Sequence, residues 1–255
     1  MADSDSDTKT EILEQGDIFF FYRPRVEEEN PQGLEDVQRF GMVLRPHGGD
    51  KVRLMVVGRK RLPDPDEHER HWGFVETVAK SAKDIEKDLR EGTYETKTRG
   101  QRSTPAARPA GEGVYVISLE DGQMHLSYEL ELPKHVREVQ KSLRIAQKAS
   151  YALSVKNPEK GSPPNAGLRE EDEADYPKKL QEEFRGRRFD REDVELLDYE
   201  GAQFLLVGAR TNPEQAYGID LDAESADYEH ADTVRKLHMV KSRHPLRPLF
   251  EGRWD

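Results

Sequence analysis

The stretch GVYVISLEDGQMHLSYELEL, residues 113–132, decides the fold. Asp121-Gly122 is a favoured two-residue hairpin turn, whose central residues need positive φ. Counting outward sets Leu119 opposite Met124, Ile117 opposite Leu126 and Tyr115 opposite Tyr128. All six share one face. On the second strand Met124, Leu126, Tyr128, Leu130 and Leu132 alternate with His125, Ser127, Glu129 and Glu131, the pattern of a half-buried strand.

Upstream, GDIFFFYRP (16–24) reads as a turn, a buried strand and a stop at Pro24. FGMVLRPHGGDKVRLMVVG (40–58) predicts a second hairpin. A two-residue Gly48-Gly49 loop sets Leu44 opposite Arg53. A three-residue loop over 48–50 sets Leu44 opposite Leu54 and Val43 opposite Met55, and this glycine-bulge register is the expected one. WGFVETV (72–78) is a strand, and SAKDIEKDL (81–89) a short helix capped by Ser81 with Asp84 completing the box. Downstream, 133–145 has helical spacing, SYALSVKNP (150–158) is a strand, and Tyr176, Leu180 and Phe184 form a helical stripe. LLDYEGAQFLLVGAR (196–210) reads as strand, turn and buried strand, and 223–238 as a helix.

The total is about ten strands and four helices, mostly hairpins without βαβ alternation. The fold class expected is α+β, an antiparallel sheet or open barrel with short helices. Residues 1–14 are expected to be a disordered acidic tail, 15–159 the main β-rich domain and 160–175 a loop or linker. Residues 176–255 are expected to pack on the same domain.

The 255 residues are 34% hydrophobic and 36% charged, with a net charge of −11 and no cysteine. Absence of cysteine excludes disulfides, thiolate zinc sites and a Cys nucleophile. The opening MADSDSDTKTE has no apolar core, so it is not read as a secretory signal, and a cytoplasmic location is expected. No apolar run suits a membrane span. No nucleotide-binding glycine loop and no nucleophile elbow is present, so no cofactor is expected. DEHERHW (66–72) brings His68, Glu69 and His71 together, but at the wrong spacing for a helical zinc motif, so no metal is expected either.

The base in this acidic chain concentrates in 51–61, 97–108 and 185–188. The segment YETKTRGQRSTPAARPAGEG (94–113) is read as a long loop without regular pattern. Lys97, Arg99, Arg102 and Arg108 offer cations, Thr98 a hydroxyl, and the neighbouring Arg59 and Lys60 extend the basic face. Guanidinium forks and free backbone N–H groups suit phosphate. The segment is therefore either an anion-binding loop or an intramolecular clamp onto the acidic runs 27–36 or 170–175. Three functions follow. The first is a module binding a phosphorylated small molecule or nucleic acid. The second is an enzyme on an anionic substrate with Asp17 or His71 as acid/base; Asp17, at the entrance of an apolar strand, either has a raised pKa that suits a general base or only closes the turn after Gly16. The third is an acidic module that docks a protein partner.

The motifs GDIFFFYRP, DVQRF, GRKRLP, YETKTRG, AARPAGEG, SVKNP and ELLDYEGAQFLLVGAR together resemble a family of uncharacterised proteins found in bacteria and fungi. Some fungal members carry the label "BTB domain transcription factor". The resemblance runs from about residue 16 to 210 and implies a stand-alone module, with no catalytic residue attached to it. GDIFFFY followed by GRKRL is also similar, over one strand, to PUA- and EVE-type barrels, which bind nucleic acid.

Overall fold

From Ile18 to Tyr22 no side chain is more than 4% exposed, although a strand points alternate residues to opposite faces. Both faces are covered. Ile18, Phe20 and Tyr22 enter the main core, and Phe19 and Phe21 enter a second cluster with Ile85, Leu89, Leu237 and Met239. The continuous apolar run is thus a strand with a barrel interior on one side and a helix and chain segment on the other.

The computed structural model describes residues 10–96, 98, 100–162, 167–212, 221, 223 and 230–254. Its strands are β1 (Glu11–Pro24), β2 (Val37–Pro46), β3 (Val52–Val57), β4 (Arg70–Ala79), β5 (Gly92–Thr96), β6 (Gly100–Thr104), β7 (Arg108–Glu120), β8 (Gln123–Leu132), β9 (Lys148–Lys156), β10 (Phe189–Asp190) and β11 (Gln203–Arg210). Helices among the described residues are α1 (Ala82–Leu89), α2 (Glu138–Leu143), α3 (Lys178–Glu183), α4 (Asp232–Arg235) and α5 (Arg247–Glu251). The sheet runs β9-β11-β4-β3-β2-β1-β7-β8, and β8 pairs back onto β9. Every pairing is antiparallel, so the expected antiparallel architecture is present as a closed eight-stranded barrel, without the edges of an open one. No helix among the described residues is long and apolar enough to cross a membrane.

The β7–β8 hairpin has the predicted register, with Asp121 and Gly122 at φ 49° and 72°. Its inward residues meet β1 and β9 in an aromatic core. Phe20 packs edge-on against Tyr128 at 4.9 Å, and Tyr128 stacks on Tyr151 at 6.4 Å. Burying such rings stabilises by roughly 2–3 kcal/mol each, which suits a chain with few apolar residues.

The β2–β3 register differs from expectation. Val43 lies opposite Leu54 and Leu44 opposite Arg53. The expected register kept Arg53 away from Leu44, but the barrel accommodates it. Arg53 is 2% exposed, donates to both oxygens of Glu14 at 2.5 and 2.8 Å and to Asp198 at 2.7 Å, and the Tyr115 hydroxyl donates to Glu14 at 2.8 Å. A buried charge is tolerated where carboxylates and hydrogen bonds surround it.

Four further expectations change. Residues 11–14, expected to be part of a disordered tail, belong to β1 and pair with β7; residues 1–9 lie outside the described residues. Residues 194–198 form a 3-10 turn rather than a strand. The expected helix over 133–145 shortens to α2. Of the expected helix over 223–238, residues 224–229 lie outside the described residues, and the described part is helical only over α4. The cap of α1 is as predicted, Ser81 accepting from the Asp84 amide.

Candidate functional site

The segment expected to be a long loop is instead a ribbon. β5 and β6 pair Tyr94 with Arg102 and Thr96 with Gly100, and β7 begins at Arg108. Threonine, tyrosine and a glycine at φ 68° suit a tight hairpin, and that turn chemistry outweighed the charge pattern. Lys97 and Arg99 lie outside the described residues, and Thr98 is exposed between them. Arg102 pairs with Glu27 at 3.0 Å, and the Glu27 amide donates to the Ser103 carbonyl at 2.9 Å. Arg108 is buried and donates to the Glu29 carbonyl at 2.5 Å. Arg59 is exposed in the turn after β3. The Lys60 ammonium donates to the Val37 carbonyl at 2.5 Å, and burial, then Arg25 nearby, lowers its pKa.

A cavity of about 400 Å³ lies beside this ribbon, between Ser103–Arg108 and residues 241–245. Its wall is balanced: Arg108, Lys241 and Arg243 face Glu27, Glu29 and Glu91. Behind it, Glu86 is buried and contacts Arg90 at 2.6 Å, Arg243 at 3.3 Å and the buried His244 at 3.4 Å. Burial pushes the Glu86 carboxyl up, but hydrogen bonds from Arg90, His244 and Arg243 outweigh it and hold its pKa at about 2.

A different cleft gathers charge of one sign. It encloses about 290 Å³ at the opposite end of α1, between the β2–β3 turn, the helix start and residues 236–238. Arg45, Lys51, Lys80, Lys83 and Lys236 line it, with Asp50 the one carboxylate in the wall and His238 at its rim. Carboxylates stand behind three of the cations. Asp17, 3% exposed, accepts from Arg45 at 2.7 Å and Lys236 at 3.0 Å and contacts His47 at 3.0 Å. Asp232 holds Lys236 at 2.5 Å, and Asp198 accepts from Lys51 at 2.9 Å while it also holds Arg53. Among the described residues Lys80 and Lys83 have no ion-pair partner, and both are exposed.

The local fold explains the convergence. Ile85 and Leu89 anchor α1 on the barrel together with Leu237 and Met239, and this brings residues 236–238 beside the helix start. Lys80 and Lys83 flank the N-terminus of α1, where the helix dipole disfavours cations and favours an anion. His238 holds φ 58°, a conformation uncommon for a residue with a side chain.

The two candidate acid/base residues are engaged elsewhere. Burial raises the Asp17 pKa, but hydrogen bonds from His47, Lys236 and Arg45 outweigh it. The net shift is downward, opposite to the rise that suits a general base. His71 is fully buried, its Nδ1 2.9 Å from the Arg61 carbonyl and its Nε2 3.1 Å from Glu69. No three His, Asp or Glu side chains are grouped to hold a metal ion among the described residues. The chain matches no protein-family model, no curated protein and no solved structure.

The residues of the α1 cleft come from 45–52, 80–83 and 236–238, and of its cations only Lys51 belongs to a basic run, 51–61. One signal was present in the sequence. Lys80 precedes the predicted cap Ser81 and Lys83 stands in the first helical turn beside Asp84, two cations at an end where acid is preferred.

Proposed function

We propose that this chain is a binding module for a phosphate-bearing ligand, held in the cleft at the start of α1. The observation that carries the reading is five permanent cations from three separate segments facing one wall carboxylate, Asp50. Two of them, Lys80 and Lys83, make no ion pair among the described residues, although Lys83 lies near enough to Asp84 to help lower the pKa of its carboxyl. Ammonium groups grouped this way repel one another until an anion enters. No chemical step is needed. Asp17, beneath the cleft, has its pKa lowered despite burial by hydrogen bonds from His47, Lys236 and Arg45, so it acts as a counter-ion and not a base. The ribbon at 92–108 fits the clamp reading better, since Arg102 pairs with the Glu27 carboxylate and Arg108 donates to the Glu29 backbone carbonyl.

Titration calorimetry with inorganic phosphate tests this. Affinity falls as ionic strength rises, because the cations are exposed and screened. Lys80→Ala with Lys83→Ala lowers affinity on the order of tenfold, each exposed charge acting mainly through the field it supplies. Salt-independent binding, or equal affinity in the double variant, contradicts the proposal.

A further inference from the structure

We infer that the α1 cleft takes the dianion of a phosphate monoester on a small molecule in preference to a phosphodiester. This rests on the reading that the cleft binds phosphate at all. Pairing decides which charges a ligand must supply. Arg45 and Lys236 already face Asp17 and Asp232, and Lys51 shares Asp198 with Arg53. Asp84, in the first turn of α1, is taken by Lys87 at 2.7 Å and by the Ser81 hydroxyl. Lys80 and Lys83 make no ion pair among the described residues, Lys83 acting on Asp84 only through its field. A monoester carries about −1.5 to −2 at neutral pH and matches two ammonium groups, whereas a diester carries a single charge.

The shape agrees with the charge. The walls come from three sides: the helix start, the β2–β3 turn and residues 236–238. A terminal phosphoryl group offers three oxygens to three walls. A diester offers two, and both of its ester arms must leave the cavity. The volume of about 290 Å³ lies at the small end of ligand cavities and leaves room for a phosphoryl group with a short organic part. No Phe, Tyr or Trp lines the cleft and its one aromatic ring is the His238 imidazole, so the series of stacking platforms that strand-binding proteins commonly use is missing there. Asp50 is the one wall group that opposes the ligand, and it has no ion-pair partner among the described residues.

The test is titration of the full chain with methyl phosphate, dimethyl phosphate, and short oligonucleotides with a 5′-phosphate or a 5′-hydroxyl. Methyl phosphate is expected to bind on the order of tenfold tighter than dimethyl phosphate, since charge-assisted contacts scale with ligand charge. Lys83→Gln narrows that ratio, and Asp50→Asn tightens methyl phosphate several-fold. Both positions are exposed, so the fold does not depend on them. Equal affinity for methyl and dimethyl phosphate, or for the 5′-hydroxyl oligonucleotide, overturns the monoester preference while phosphate binding stands. Much tighter binding of the 5′-phosphorylated oligonucleotide than of methyl phosphate overturns the small-molecule assignment. Failure of every probe to bind, inorganic phosphate included, overturns the reading beneath it.

Discussion

The two ends of α1 handle positive charge in opposite ways. At its C-terminal end Arg90 and Arg243 converge on the buried Glu86, and in the adjoining cavity cations and carboxylates are matched. At its N-terminal end five cations line a cleft whose wall holds one carboxylate, Asp50, with Asp17, Asp198 and Asp232 behind three of them. Yet the ribbon beside the matched cavity carries the conspicuous basic run, and the unmatched cleft is assembled from short pieces of three segments. A run of like charge along a chain is easily met by acid from a neighbouring loop, as Glu27 meets Arg102. Charge gathered from distant segments shows itself only when the fold is closed.

The largest effect expected is at the matched end. Glu86→Gln removes the carboxylate on which two arginines and a buried histidine converge, and should destabilise the protein by about 3 kcal/mol. The pH dependence has a definite sign. The Glu86 pKa is held at about 2, below its ordinary 4.5, so its contribution is complete above about pH 4.5 and is lost as pH falls towards 2. Thermal melts of the two proteins should therefore converge over that window. Phosphate affinity of the folded variant should be unchanged, because the cleft lies at the other end of the helix. A large loss of affinity would mean that the two ends act as one site.

The smallest effect expected is at the ribbon. Arg102→Ala breaks a partly exposed ion pair and should cost less than about 1 kcal/mol, read as a small shift in denaturation midpoint. Phosphate affinity should not change. A several-fold loss would return the anion site to the ribbon.

How much was legible follows from which forces are local. The β7–β8 register was readable because Asp121-Gly122 fixes the turn and strict alternation fixes the faces. The cap of α1 was readable for the same reason. The β2–β3 register was not, since Arg53 on an inward face makes sense only once Glu14 and Asp198, 39 and 145 residues away, are seen beside it. Of the candidate site, Arg102 and Arg108 were found as cations, but their partners at 27–29 were visible only as one of two options. The cleft itself was hidden because Arg45, Lys80 and Lys236 are each ordinary in their own surroundings.

The most direct measurement of the central claim is a titration of the isotope-labelled protein with inorganic phosphate, followed by amide chemical shifts. The account predicts that the shifts concentrate at residues 45–52, 80–83 and 236–238. Shifts confined to residues 100–108, with the start of α1 unmoved, would contradict it.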